Sequence, residues 1–198
     1  MSEGHVISLG RLLEALKKGE VDKLREELSK AERVVLLAYR LPRPQKLRVR
    51  AHKKLVDLNP GVLSRLEYAL LKSVAEAVKS NRLPTFKDVA ELASDYKAVA
   101  KYLEFLSEAG VVVFADPAKA AKLAEANRAL SESKYKRRIS KVLDLPIVLN
   151  IQLLEERASK VLCKYSDGRL VCGLYSEGPD REQDKVQLAI LNEYLAAK

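Results

Sequence analysis

The chain has 198 residues, 47% of them apolar and 32% charged, and its 36 lysines and arginines against 27 acids give a net charge of +9. That length suits one domain or two small ones with a real core. Its longest apolar run, six residues at 34–39, is far too short to cross a bilayer, which argues against a membrane partner.

Methionine occurs once and tryptophan never, while lysine, arginine and glutamate are abundant, a composition like that of thermophile and archaeal proteins. The N-terminal string MSEGHVISLG lacks a charged leader followed by an apolar stretch, so no secretion signal is expected. The expected location is the cytoplasm, in association with a nucleoid, or the inside of a virion.

In chain order, Leu9, Leu12, Leu13 and Leu16 recur at helical spacing and Gly19 ends that helix. A second helix is expected from Val21, with Leu24, Leu28 and Ala31 leading into apolar residues 34–38. Pro42 and Pro44 break the pattern. Between Arg40 and Lys54 stand seven lysines and arginines, one histidine and no acid. Scattered lysines merely solubilise, whereas a run without an internal carboxylate faces water or an external polyanion. Leu47, Ala51, Leu55 and Leu58 are spaced for one helical face, which would send Arg48, Arg50, Lys53 and Lys54 around the other sides. Asn59, Pro60 and Gly61 end that element.

From residue 62, Leu63, Leu66, Leu70, Leu71, Val74 and Val78 predict a long amphipathic helix. Thr85, with Asp88 three residues on, is a helix-start signature for a short helix carrying Val89, Leu92 and Ala93. Ser94 or Asp95 caps the next helix, with Val99, Tyr102, Leu103 and Leu106, which stops at Gly110. Residues 111–114 then read as a strand.

Helix, short helix, longer helix, strand: this order over residues 62–114 resembles the winged-helix variant of the helix-turn-helix fold. The resemblance implies that the third helix, residues 95–109, enters the major groove of DNA. Two features depart from the family. Asp116-Pro117 opens another helix where a wing hairpin belongs. The third helix also sets Lys97 and Lys101 against Asp95, Glu104 and Glu108, and a helical packing unit with the same pattern is the alternative.

Past Pro117 an alanine-rich helix is expected to residue 130. A second basic cluster follows at Lys134, Lys136, Arg137, Arg138 and Lys141, with Tyr135 inside it. After Pro146 an apolar helix runs through Ile151 and Leu154. Residues 161–165 and 169–175 then read as strands joined at Asp167-Gly168, a pair suited to positive φ. That turn sets Cys163 opposite Cys172, where either a disulfide or two small buried thiols would fit. Val186, Leu188, Ile190, Leu191 and Leu195 form a closing helix.

The expected fold is therefore mainly α: a multi-helix domain with a helix-turn-helix-like core and a small C-terminal β-hairpin at 160–175. Its parts are N-terminal helices with the basic segment at 1–60, a helical core at 61–145 and a C-terminal part at 146–198, forming one compact unit.

The sequence has no phosphate-cradling glycine loop and no serine in a nucleophile-elbow setting. His5 and His52 are its only histidines. These features point away from an enzyme, with no catalytic residue, metal or cofactor expected. Arginine forks match phosphate oxygens, which makes nucleic acid the expected partner, duplex DNA above all. The expected contacts are Arg40, Arg43, Lys46, Arg48, Arg50, Lys53, Lys54, Lys134, Lys136, Arg137, Arg138 and Lys141. About eight of these on phosphates would give log K a salt slope of roughly −7 on a duplex. The role expected is a DNA-packaging nucleoprotein, chromatin-like or viral, acting as a homodimer or larger homo-oligomer. Alternatives are a winged-helix regulator, a non-catalytic subunit of an RNA–protein assembly, and a nuclease built from dispersed carboxylates.

Overall fold

The computed structural model describes residues 5–44, 48–51, 54–57, 60–129, 131–173 and 179–196, with the backbone alone at 48–51, 54–57, 60 and 179–180. The elements follow in chain order as β1 (His5–Ile7), α1 (Leu9–Lys18), α2 (Val21–Lys30), β2 (Val34–Ala38), β3 (Arg48–Ala51) and β4 (Lys54–Asp57). Next come α3 (Pro60–Lys79), α4 (Phe86–Ala93), α5 (Tyr96–Glu108), β5 (Val112–Phe114), α6 (Pro117–Asn127) and α7 (Glu132–Ile139). The chain closes with β6 (Ile147–Leu149), α8 (Ile151–Glu156), β7 (Ser159–Ser166), β8 (Arg169–Cys172) and α9 (Pro179–Leu195). Helix dominates, so the protein is mainly α. Among the described residues no helix is long and apolar enough to cross a membrane.

The chain folds as two compact units, divided at 41 and 150 rather than at 60 and 145: the first holds 1–41, 78–81 and 151–198, the second 42–77 and 82–150. The expected N-terminal and C-terminal parts thus share one unit, because β2 pairs with both β1 and β7.

In the first unit a four-stranded sheet runs in the order β1-β2-β7-β8, with β1 parallel to β2 and the other pairs antiparallel. Residues 34–38 are its inner strand rather than the continuation of α2. An unbroken apolar run of this length, opening on two β-branched valines, suits a strand flanked on both sides. Ile7, Val34, Leu36, Ala38, Cys163 and Leu170 line the buried face of the sheet. Helices α2 and α9 lie against the sheet, and α1 packs on both of them.

Helix α9 is also where the buried backbone of this unit finds its partners. The Gln187 side chain accepts from the Tyr39 N–H at 2.6 Å and donates to the Tyr39 carbonyl at 2.8 Å. Gln183 donates to the Leu41 carbonyl at 2.6 Å. One turn further along, Asn192 accepts from the Leu170 N–H at 2.7 Å and donates to its carbonyl at 3.0 Å. Leu170 pairs with Tyr165 at a position of the β7–β8 ladder whose backbone groups point away from β7. Asn192 therefore satisfies Leu170 on the β8 edge of the sheet, where unpaired groups would otherwise invite another strand.

The Asp167–Gly168 turn takes positive φ at both residues, 55° and 73°. Cys163 and Cys172 are register partners with Cα atoms 4.0 Å apart and are joined in a disulfide. At the start of α1, Ser8 caps the helix by accepting from the Arg11 N–H at 3.1 Å. It also donates to Glu155, which accepts from the Tyr39 hydroxyl at 2.6 Å. Gly10 donates its N–H to that same hydroxyl at 2.8 Å, and a Cβ at position 10 would stand only 2.6 Å from it. Glycine is needed there for close approach.

In the second unit, β3 and β4 pair antiparallel in place of the expected helix. Val49 is the register partner of Val56, and Arg48-Val49-Arg50-Ala51 alternates with the period of a strand. Residues 147–149 are likewise a strand, β6, preceding the expected helix, which is α8. Strand β6 pairs antiparallel with β5, and Pro146, just before it, bridges Thr85. The Phe86 N–H donates to Leu145 and the Ile147 N–H to Pro84, each at 2.9 Å, which fixes the start of α4. Thr85 and Asp88 form the capping box read from the sequence. Asp95, not Ser94, caps α5, while Ser94 ends α4 in the left-handed region at φ 56°. Helices α6 and α7 fill the connection between β5 and β6.

Replacing Asn192 with Leu leaves two backbone groups at the sheet edge unpaired and should lower stability by about 1–3 kcal/mol. Urea unfolding measures this, and an unchanged midpoint would mean that water satisfies the edge unaided.

Candidate nucleic-acid interface

The first basic segment does not present all its charges outward. Arg40 donates from Nη1 to Asp184 on α9, whose side chain is almost fully buried. Arg43 pairs with Glu67 on α3, which is only 1% exposed, and also donates to the Ser64 hydroxyl at 3.1 Å. Both arginines, expected on phosphate, are therefore committed to internal carboxylates. The reason is desolvation: a buried acid is costly unless paired, and each arginine supplies the pairing.

Arg48 and Arg50 are alternate positions of β3, and Asp57 is the register partner of Arg48. Lys54 opens β4. The backbone alone of these three is described, and Lys46, His52 and Lys53 lie outside the described residues.

The second basic cluster has a definite geometry. Ser131 caps α7 by accepting from the Lys134 N–H at 3.4 Å. Tyr135 and Ile139 on the helix, and Val142 just after it, are buried and hold one side of α7 inward. Tyr135 donates to the Tyr96 carbonyl at 3.3 Å, with the Lys97 ammonium 5.5 Å from its ring centroid. Its hydroxyl pKa is raised by burial and by the nearby Asp95 carboxylate. Tyr135 is thus an anchor rather than a stacking surface.

Lys134, Arg137 and Arg138 stand at i, i+3 and i+4 on α7, and Lys141 follows just after its C-cap, Ser140. Lys134, Arg137 and Lys141 are exposed and Arg138 is half-buried. Lys136 faces Glu132 one turn back at 3.8 Å. Arg137 and Arg138 lie in the last turn, where the helix dipole favours cations. The two-helix insertion carries eight lysines and arginines against four acids between residues 115 and 146.

Helix α5, the element that the winged-helix resemblance would send into a groove, is flanked by α4, α6, β3 and β5. Only Tyr96 and Glu108, at its two ends, are exposed. Asn127 of α6 donates to the Ala100 carbonyl at 3.2 Å and to Glu104 at 3.0 Å, which ties α6 along its side.

Sequence reasoning missed both carboxylates that capture arginines. Glu67 carried a signal: it sits four residues after Leu63 and three before Leu70, inside the apolar stripe of α3. Asp184 carried none, being 144 residues from its partner.

Comparison with protein-family models, with curated proteins and with solved structures finds no match to this chain.

Burial pushes the Glu67 carboxyl up from 4.5 to about 7, against the pull of Arg43. The folded state then holds this proton more tightly than the unfolded chain. Its contribution to stability is complete below pH 4.5 and is lost as pH rises to about 7. The loss should not exceed about 3 kcal/mol. Glu67→Gln cannot titrate and should flatten this part of the profile, as read by urea unfolding across that pH range. A parallel pH profile for both proteins would contradict the assignment.

Proposed function

We propose that this chain is a nucleic-acid-binding protein without chemistry of its own, holding the phosphate backbone of a duplex through the outward side of α7. One observation carries the reading. Lys134, Arg137 and Arg138 stand close together on a helix fixed by Tyr135 and Ile139, Lys141 follows just past its end, and the sole acid of that helix, Glu132, pairs with Lys136 instead. A row of cations on a rigid helix matches a rod of regularly spaced phosphates.

The course of the second unit supports a relation to winged-helix proteins. Helix α3, the Thr85 bridge, α4, α5, β5 and β6 follow that fold's order, with α6 and α7 at the tip where the wing would be. In this reading the wing tip meets the backbone and α5 serves as packing. Coverage of α5 on both sides favours backbone contact over base readout, and so favours packaging over site-specific regulation. Such proteins coat DNA in many copies, so assembly along the duplex belongs to the proposal.

Gel shifts on duplex DNA across a salt series test it. With Lys134, Arg137, Arg138 and Lys141 all replaced by Ala, the salt slope should become shallower by about 3 to 4, equally for unrelated sequences. Unchanged affinity would leave those residues as solubilising charge. Discrete footprints would favour a regulator, and a preference for structured RNA over duplex DNA would favour the RNA-assembly reading.

A further inference from the structure

Among the described residues, the four-stranded sheet of the first unit buries one face, and its other face has an unusual composition. The register places Val6, Val35 and Leu162 in one row across β1, β2 and β7. Leu37 follows Val35 two positions along β2, and Val171 lies on β8 opposite Lys164. Leu162 is 59% exposed, Val171 58% and Val6 42%. A sheet with one face on a core normally alternates apolar inside with polar outside. Here an aliphatic patch crosses all four strands on the outer face.

The charges around that patch share one sign. Lys160 is the register partner of Leu37, Lys164 that of Val171, and Arg169 precedes Val171 by two positions. All three cations are exposed, and none has a carboxylate partner among the described residues. No described acid falls on this face.

We propose that this face is a docking surface for an acidic amphipathic segment of a partner protein. Such a helix carries an aliphatic stripe to cover Val6, Val35, Leu162 and Val171, and glutamates or aspartates on its flanks to meet Lys160, Lys164 and Arg169. The patch, a few strands wide at about 4.8 Å spacing, accommodates two to three helical turns. A second copy of this chain fits poorly, because a two-fold interface would set these cations against one another. A single-stranded nucleic acid would find no aromatic ring for its bases on this face. The inference is independent of α7 and of the nucleic-acid reading.

The test uses the full chain, labelled with 15N, and two synthetic helical peptides of about fifteen residues with the same leucine stripe, one flanked by Glu and the other by Lys. Phosphatidylserine vesicles form a further arm. The Glu peptide is expected to bind and to shift the amide signals of Val6, Val35, Leu162 and Val171, while the Lys peptide does not. Leu162→Asp with Val171→Asp should weaken the Glu peptide about tenfold or more, since buried aliphatic anchors dominate such contacts. Both positions already face water, so near-UV circular dichroism should be unchanged. Lys164→Glu with Arg169→Glu should reverse the preference between the peptides. Equal binding of both peptides, shifts confined to other elements or indifference to these variants would overturn the proposal. So would self-association abolished by Leu162→Asp, or capture of vesicles in place of the peptide.

Discussion

A guanidinium withdrawn from water must take a carboxylate with it, and this constraint decides which cations remain at the surface. Within four residues, Arg40 turns to Asp184 and Arg43 turns to Glu67, one in each compact unit. A sequence that looks like an uninterrupted cationic ribbon is therefore partly consumed by the fold. The charges of α7 escape because the inward side of that helix is anchored by a tyrosine and aliphatic side chains that ask for no counter-ion.

The final helix serves the first unit in a similar way. Gln183, Gln187 and Asn192 spend their amides on backbone groups that the sheet leaves unpaired, reaching the chain after β2 and the outer edge of β8. Side chains normally expected at a polar surface are here buried or half-buried, Gln183 and Gln187 one turn apart on α9 and Asn192 on another side of it. An amide matches the donor and acceptor pattern of a strand, which lets a helix stand where a fifth strand would otherwise pair.

Local signals in the sequence were legible where local physics governs. The leucine spacing of α1 and α3, the capping box at Thr85 and Asp88, and Asp116-Pro117 at the start of α6 are each satisfied within a turn or two. The Asp167-Gly168 turn also fixes which cysteine faces which. Strands were harder to read. Leu47, Ala51, Leu55 and Leu58 fit a helical face, yet the same stretch alternates as a strand, and tertiary pairing made the choice. Residues 34–38 pair with β1 and with β7 more than a hundred residues later, which no window around them reveals. The candidate interface divides on the same line. The positions of the cations are plain in the sequence, but their neutralisation by Asp184 depends on contacts that span most of the chain.

Strands β5 and β6 are neighbours, so α6 and α7 leave the sheet and return to it at adjacent points. The exposed cations of α7, Lys134 and Arg137, stand outside the register of that sheet. Their number and sign can drift with little penalty in folding, so the surface charge of this insertion can change while the scaffold stays the same.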